Sequence, residues 1–255
     1  MTATTEQAAG VAAYYDKAAG VIPSLTVLNY GFSSDPEDSR VPRDNPEFYC
    51  LRLYEHTVRD VKLEGAEVLE VSCGRGGGAS YLTASYHPKR YVGVDLSEEN
   101  LRMARQRDPA VEWVQGPADA LAFPEASFDV VINIEASHLY DDRKAFFAEV
   151  YRVLRSGGSF CYTDGCWADD DCTNDLLNAG FELRERLEIT HNVIRALELD
   201  NARREALFDT IADPALREEY KGWGGVIGYR AYQRFVEGQT RYFSHLLRRP
   251  LARNT

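Results

Sequence analysis

Residues 68–80, VLEVSCGRGGGAS, constrain this chain more than any other stretch. Val68, Leu69 and Val71 read as a short buried strand interrupted by Glu70. A turn carrying Gly74, Gly76, Gly77 and Gly78 follows, and residues 79–84 read as a helix start. A strand, a glycine turn and a helix in that order bring backbone N–H groups close to a ligand. A Cβ in the turn would block that approach or forbid a positive φ. Asp95 ends a second strand, residues 90–94, about twenty residues past Gly74. At that distance an acid meets ribose hydroxyls in nucleotide-binding βαβ units. The competing readings are a purely structural turn and an Asp95 that only caps the next helix.

The chain has 255 residues, 44% of them apolar, enough for one large α/β domain with an appendage. Its net charge of −11 argues against nucleic acid, which calls for a basic footprint. It suits a small, non-polyanionic substrate. The five cysteines are an odd count without a secretory signal, so a reducing cytoplasmic setting is expected. Cys161, Cys166 and Cys172 lack CxxC spacing and neighbouring histidines, so no metal site is expected. No run approaches the ~20 apolar residues of a membrane span.

Residues 1–60 read as a helical cap, with helices near 11–19 and 48–61 around a polar loop at 33–47. From residue 66, strands alternate with helices. The strands are expected at 67–72, 90–94, 111–115, 128–134 and 159–163. This alternation calls for a parallel sheet with helices on both faces and ligands at the carboxyl ends of the strands. A half-exposed strand at 181–190 and a last strand at 239–247 enclose helical sequence, about 191–238. They suggest an antiparallel edge with an insertion able to roof the cleft. Residues 61–255 would then form the binding domain with this insertion as a lid.

Four segments in order, VLEVSCGRGGGAS, YVGVDLS, VQGPADALAFPEASFDVVINIEASHLY and RVLRSGGSFCYTD, resemble the class I S-adenosylmethionine-dependent methyltransferases. The nearest likeness is to bacterial methyltransferases of lipid and secondary-metabolite pathways, including the phthiotriolone O-methyltransferase type. The resemblance implies a Rossmann-like α/β fold with a mostly parallel seven-stranded sheet and S-adenosylmethionine as cofactor. It also assigns residues. Glu70, Ser72 and the Gly74 to Gly76 turn would hold the methionine portion and ribose. Asp95, with Leu96, would take the ribose hydroxyls. Asp119 and the Ala120 N–H would read the adenine edge. Asn133 and Ile134 would meet the cofactor's amino group through backbone carbonyls. Ser72 stands where the family usually has glycine. Arg75 has no role in this reading.

Methyl transfer from a sulfonium mainly asks the protein to position a nucleophile and manage its proton. His138, just past the fourth strand, is the candidate general base, since imidazole titrates near neutrality. Its alternative is packing against Tyr140. Glu135 is the second catalytic candidate, to orient His138 or hold substrate. Asp164, at the end of the fifth strand, is assigned to substrate, as are Tyr14, Tyr30 and Trp167. If these aromatics line a pocket, the substrate is hydrophobic. No basic pocket is expected. The reading is therefore O-methylation of a small, mainly hydrophobic natural product or lipid. The alternatives are C-methylation of an activated carbon or isoprenoid double bond, a cyclase on the same fold, and a non-catalytic binding module. A homo-oligomer is left open.

Overall fold

In a computed structural model, which describes residues 6–252, the chain builds one seven-stranded sheet. Its strands are β1 (Glu67–Val71), β2 (Arg90–Asp95), β3 (Glu112–Gln115), β4 (Phe128–Ile134), β5 (Leu154–Trp167), β6 (Glu182–Glu188) and β7 (Thr240–Arg248). They lie in the order β3-β2-β1-β4-β5-β7-β6. The first five pair in parallel, and β7 runs antiparallel between β5 and β6. This is the sheet expected from the sequence. Order reverses beside β1, which pairs with β2 on one side and β4 on the other. That switch opens a crevice at the carboxyl ends of the strands.

The inner parallel strands β1, β2 and β4 are mostly buried because both of their faces are covered, while the edge strand β3 is half-exposed. One face carries Val68, Tyr91, Val130 and Ile132. It packs under α2 (Phe48–Val58) and α3 (Gly77–Tyr86). The other carries Leu69, Val92, Val131 and Phe160 against Phe146, Phe147 and Val150 of α5 (Arg143–Val153). Between these helices, α4 (Glu98–Arg107) is capped by Ser97, whose side chain accepts from the Asn100 N–H. After β5 comes α6 (Thr173–Asn178). The edge strand β6 is mostly exposed and thickly charged, which blunts it against pairing with another chain.

β5 is longer than the expected 159–163. Ser156, Gly157 and Gly158 lie within the strand, with Gly157 at φ +79°. The far end, through Trp167, is carried by pairing with β7.

The N-terminal helix α1 (Glu6–Val21) and the helices between β6 and β7 meet each other. Those helices are α7 (Thr190–Asp209), α8 (Pro214–Trp223) and α9 (Arg230–Val236). Ala18, Ile22 and Leu25 pack with Phe208, Ile211, Tyr220 and Val226 in a core of their own. This places both segments over the crevice. No described helix is long and apolar enough to cross a membrane.

Candidate active site

The glycine turn gives the site its floor. Ser72, Gly74 and Gly76 have φ of 59°, 54° and 75°, all in the left-handed region. Gly76 is also pressed from outside, because a Cβ there would lie 2.6 Å from Trp113. Ser72 bears its unusual conformation with a hydrogen bond of 2.5 Å between its Oγ and the Tyr140 hydroxyl. Its serine therefore keeps the backbone shape that glycine would allow. The Gly74 N–H donates to Asp95 Oδ2 at 2.8 Å, and the Ser97 N–H to Oδ1 at 2.9 Å. Burial raises the Asp95 pKa, and these two N–H groups oppose the rise.

Two adjoining cavities lie over this floor. The first is lined by Ser72, Gly74, Asp95, Leu96, Asp119 and Ile134, six of the ten residues assigned to the cofactor. The second, about 540 Å³, is lined by Tyr14, Tyr30, His138, Phe208 and Trp223 among others. Tyr15, Asn29, Glu135 and Leu139 line both and so form the seam between them.

Glu135 sits at that seam with φ +51°. Its Oε2 accepts from the Tyr30 N–H at 2.9 Å and the Tyr242 hydroxyl at 2.6 Å. Burial pushes its pKa up to about 7 against those two donors and the charge of His138. Tyr242 reaches it from β7, where it pairs with Gly165 of β5. The sequence shows nothing that singles out this tyrosine.

His138 lies in a short 3-10 turn after β4, and its Nδ1 is 2.7 Å from Asp164 Oδ1. Asp164 Oδ2 accepts from the His138 N–H at 3.1 Å and from Ser137 Oγ at 2.8 Å. The carboxylate fixes Nδ1 as the protonated nitrogen and leaves Nε2 free to accept. The imidazole side chain is 39% exposed and lines the second cavity. Burial disfavours the imidazolium, yet the charge and hydrogen bond of Asp164 and the charge of Glu135 outweigh it and raise the pKa above 6.5.

Several assignments change. Asp164 is not placed against substrate: it is 4% exposed, and its oxygens are taken by His138, Ser137 and the Gly165 N–H. Asp164, not Glu135, orients His138. Trp167 lines neither cavity; it is half exposed at the outer end of β5, beneath the Arg234 guanidinium. Asn133 is fully buried behind the wall, donating to the Val71 carbonyl and the Tyr140 hydroxyl. Ala120 and Gly76 lie off the lining of the first cavity. The expectation of no basic pocket is also corrected. Arg203, Arg204 and Arg230 line the second cavity, brought there by α7 and α9. Arg203 and Arg204 are held by Asp200.

Glu70 does not reach the cleft either. Its side chain is 1% exposed and accepts from the hydroxyls of Tyr54 and Tyr91, each at 2.7 Å. Tyr54 stands between it and the first cavity. Burial raises its pKa from 4.5 to about 7, against the two tyrosine donors. A carboxyl with a raised folded pKa adds stability that is complete below about 4.5 and lost as pH rises through about 7. The gap corresponds to about 3 kcal/mol. Thermal unfolding of Glu70→Gln is therefore expected to lose a large part of the decline in Tm between pH 5 and 8. An unchanged slope would remove Glu70 as its source.

Comparison with known proteins agrees with this geometry. Residues 69–162 match the methyltransferase domain family. The chain is 36% identical over 232 residues to a fatty-acid O-methyltransferase of Mycolicibacterium smegmatis, covering 89% of this chain and 84% of that protein. It is 36% identical over 223 residues to a phthiotriol/phenolphthiotriol dimycocerosates methyltransferase of Mycobacterium ulcerans, covering 82% of each. The crystal structure of the [4+2]-cyclase SpnF superposes with a TM-score of 0.78 at 17% identity, over 96% of this chain and 97% of that one. The chain is a class I S-adenosylmethionine-dependent methyltransferase.

The first cavity of this methyltransferase fits a cationic cofactor. Asp95, Asp119, Glu135 and Asp141 line it, and no lysine or arginine among the described residues does. Two further lining groups, Asn29 Oδ1 and Asn100 Oδ1, are buried acceptors without a hydrogen-bond partner among the described residues. S-adenosylmethionine brings a sulfonium and an ammonium, the charges that such a lining stabilises.

Proposed function

We propose that this enzyme methylates an oxygen of a hydrophobic lipid or natural product held in the second cavity, with His138 as general base. The observation that carries this is the Asp164–His138 pair, with the imidazole opening into that cavity. Bound S-adenosylmethionine supplies the activated methyl group. Asp95, Gly74, Ser72 and Leu96 would hold it on the ribose side, Asp119 on the adenine side, and Ile134 beside the seam. Asn133 and Glu70 support the wall from behind. His138 takes the proton from an attacking hydroxyl at Nε2, and Asp164 stabilises the resulting imidazolium; a carboxylate, already ionised where the imidazole is neutral, would attack without a base. Tyr14 and Tyr30 shape the apolar wall for substrate. Tyr14 stacks on Tyr220, and the Tyr30 hydroxyl donates to the Trp223 carbonyl at 2.9 Å. Of residues 1–60, the described part from residue 6 acts as a cap, and the helices of about 191–238 as a lid, over a binding domain.

The name of the fatty-acid O-methyltransferase relative supports an oxygen nucleophile on a lipid. The test is incubation with S-adenosylmethionine and a panel of long-chain fatty acids, lipid alcohols and phenols. Product mass and formation of S-adenosylhomocysteine are then measured. A methyl ester or ether is expected. A methyl on carbon would replace this reading with C-methylation, for which the aromatic wall of the second cavity offers faces to a cationic intermediate. A rearranged product without added mass would point to cyclisation.

A further inference from the structure

Arg75 lies in the cofactor turn, between Gly74 and Gly76, yet its side chain turns away from the cleft. It is 1% exposed and forms no ion pair among the described residues. Its Nη1 donates to the carbonyls of Ile22 and Leu25, the second at 2.8 Å, and its Nε is buried without a partner. Burying a lone cation is costly, and such groups are retained where something specific needs the charge. Both acceptors follow the C-terminus of α1, where the helix dipole is negative and carbonyls lack intrahelical donors.

The other connection of α1 leads back to the same turn. Asp16 Oδ1 accepts from Ser97 Oγ at 2.5 Å and from the Glu99 N–H at 3.2 Å. Ser97 in turn donates its N–H to Asp95, which holds Gly74. The polar contacts therefore close a circuit: turn, Asp95, Ser97, Asp16, α1, Arg75 and back to the turn. The apolar anchoring of α1, through Ala18, Val21 and Tyr14, is to the lid helices, so these polar contacts are what tie it to the turn. Yet Val11 and Tyr15 of this helix line both cavities.

We propose that Arg75 is a positioning residue that couples the cofactor turn to α1, so that occupancy of the cofactor cleft and placement of the α1 wall of the substrate cavity depend on each other. This rests on the first cavity being the S-adenosylmethionine site. A ligand that fixes Asp95 and Gly74 fixes both anchor points of the helix, and a helix held in place retains the ligand. The coupling is reciprocal, as linkage requires.

The experiment uses S-adenosylhomocysteine as probe, with calorimetry and amide hydrogen exchange on the full chain. Wild-type protein is expected to bind it and to gain protection in α1. In Arg75→Met, the α1 amides are expected to exchange about tenfold faster, and the Kd to rise about tenfold. Strands β1 to β5 should keep their protection, and Arg75→Lys should recover most of both effects. Unchanged α1 exchange and Kd in Arg75→Met would overturn the coupling. So would faster exchange spread evenly over the sheet. If Arg75→Met does not fold, Asp16→Asn decides: the same local loosening and weaker binding are expected, and wild-type values sink the proposal. Failure of the wild-type protein to bind the probe would instead overturn the assignment of the first cavity.

Discussion

His138→Ala is expected to lower kcat by about 10²–10³-fold while leaving the Kd for S-adenosylhomocysteine near wild type. The first half follows from removing the only imidazole that faces the second cavity among its lining residues. The second follows because His138 does not line the first cavity. The pH profile adds a separate sign. The base must be neutral to accept a proton, and Asp164 holds its pKa above 6.5. The acidic limb of kcat should therefore rise with pH through a midpoint above 6.5. Asp164→Asn removes the charge that raises it, so the limb should move to lower pH. The plateau should fall about 10–10²-fold, because the amide has one acceptor oxygen and sets its N–H₂ either against Nδ1, which upsets the tautomer, or against the His138 N–H on the other side. Full turnover in His138→Ala on the oxygen substrate would reject the base assignment. A limb that stays in place in Asp164→Asn would reject the pairing.

That pairing shows which kind of information the sequence carried. His138 and Asp164 were each placed at the carboxyl end of a strand, from apolar runs that parallel strands make easy to recognise. Their contact depends on register: Ile134 of β4 sits opposite Thr163 of β5, so the residues just beyond meet. Strand order and register are not written in either run. For the same reason the sequence leaves Glu135 between orienting His138 and holding substrate, and gives no sign of Tyr242, which reaches the seam only through the antiparallel return of β7. Glu70 illustrates a second limit. Strand alternation turns it, with Val68, toward the helices of one face, and the two tyrosines that seal it come from α2 and β2. The basic side chains of the second cavity arise from helices whose faces are set by tertiary packing, which composition alone does not register. The glycine turn and Asp95, by contrast, were legible because their job is local: a backbone shape and a carboxylate one strand away.

Asp95→Asn carries the largest expected effect on cofactor binding. The carboxylate already accepts from the Gly74 and Ser97 N–H groups, and it lines the first cavity. An amide of the same shape accepts through one oxygen only and sets an N–H₂ against one of those donors. It also removes a negative charge from a lining that has no positive one among the described residues. Charge-assisted hydrogen bonds of this kind contribute about 1.5–3 kcal/mol, so the Kd for S-adenosylhomocysteine should rise about 10–10²-fold. The effect should be indirect as well as direct. With Gly74 and Ser97 released together, the circuit through Asp16 and Arg75 opens, and exchange in α1 should quicken without any change to α1 itself. An Asp95→Asn protein that binds the probe as tightly as wild type would show that the acid only braces the glycine turn and Ser97, the cap of α4. One that binds weakly but leaves α1 protected would keep Asp95 in the cofactor site and separate it from the cap. The two measurements on a single variant thus distinguish a ligand contact from a structural hinge, which the position of Asp95 at the end of β2 cannot do alone.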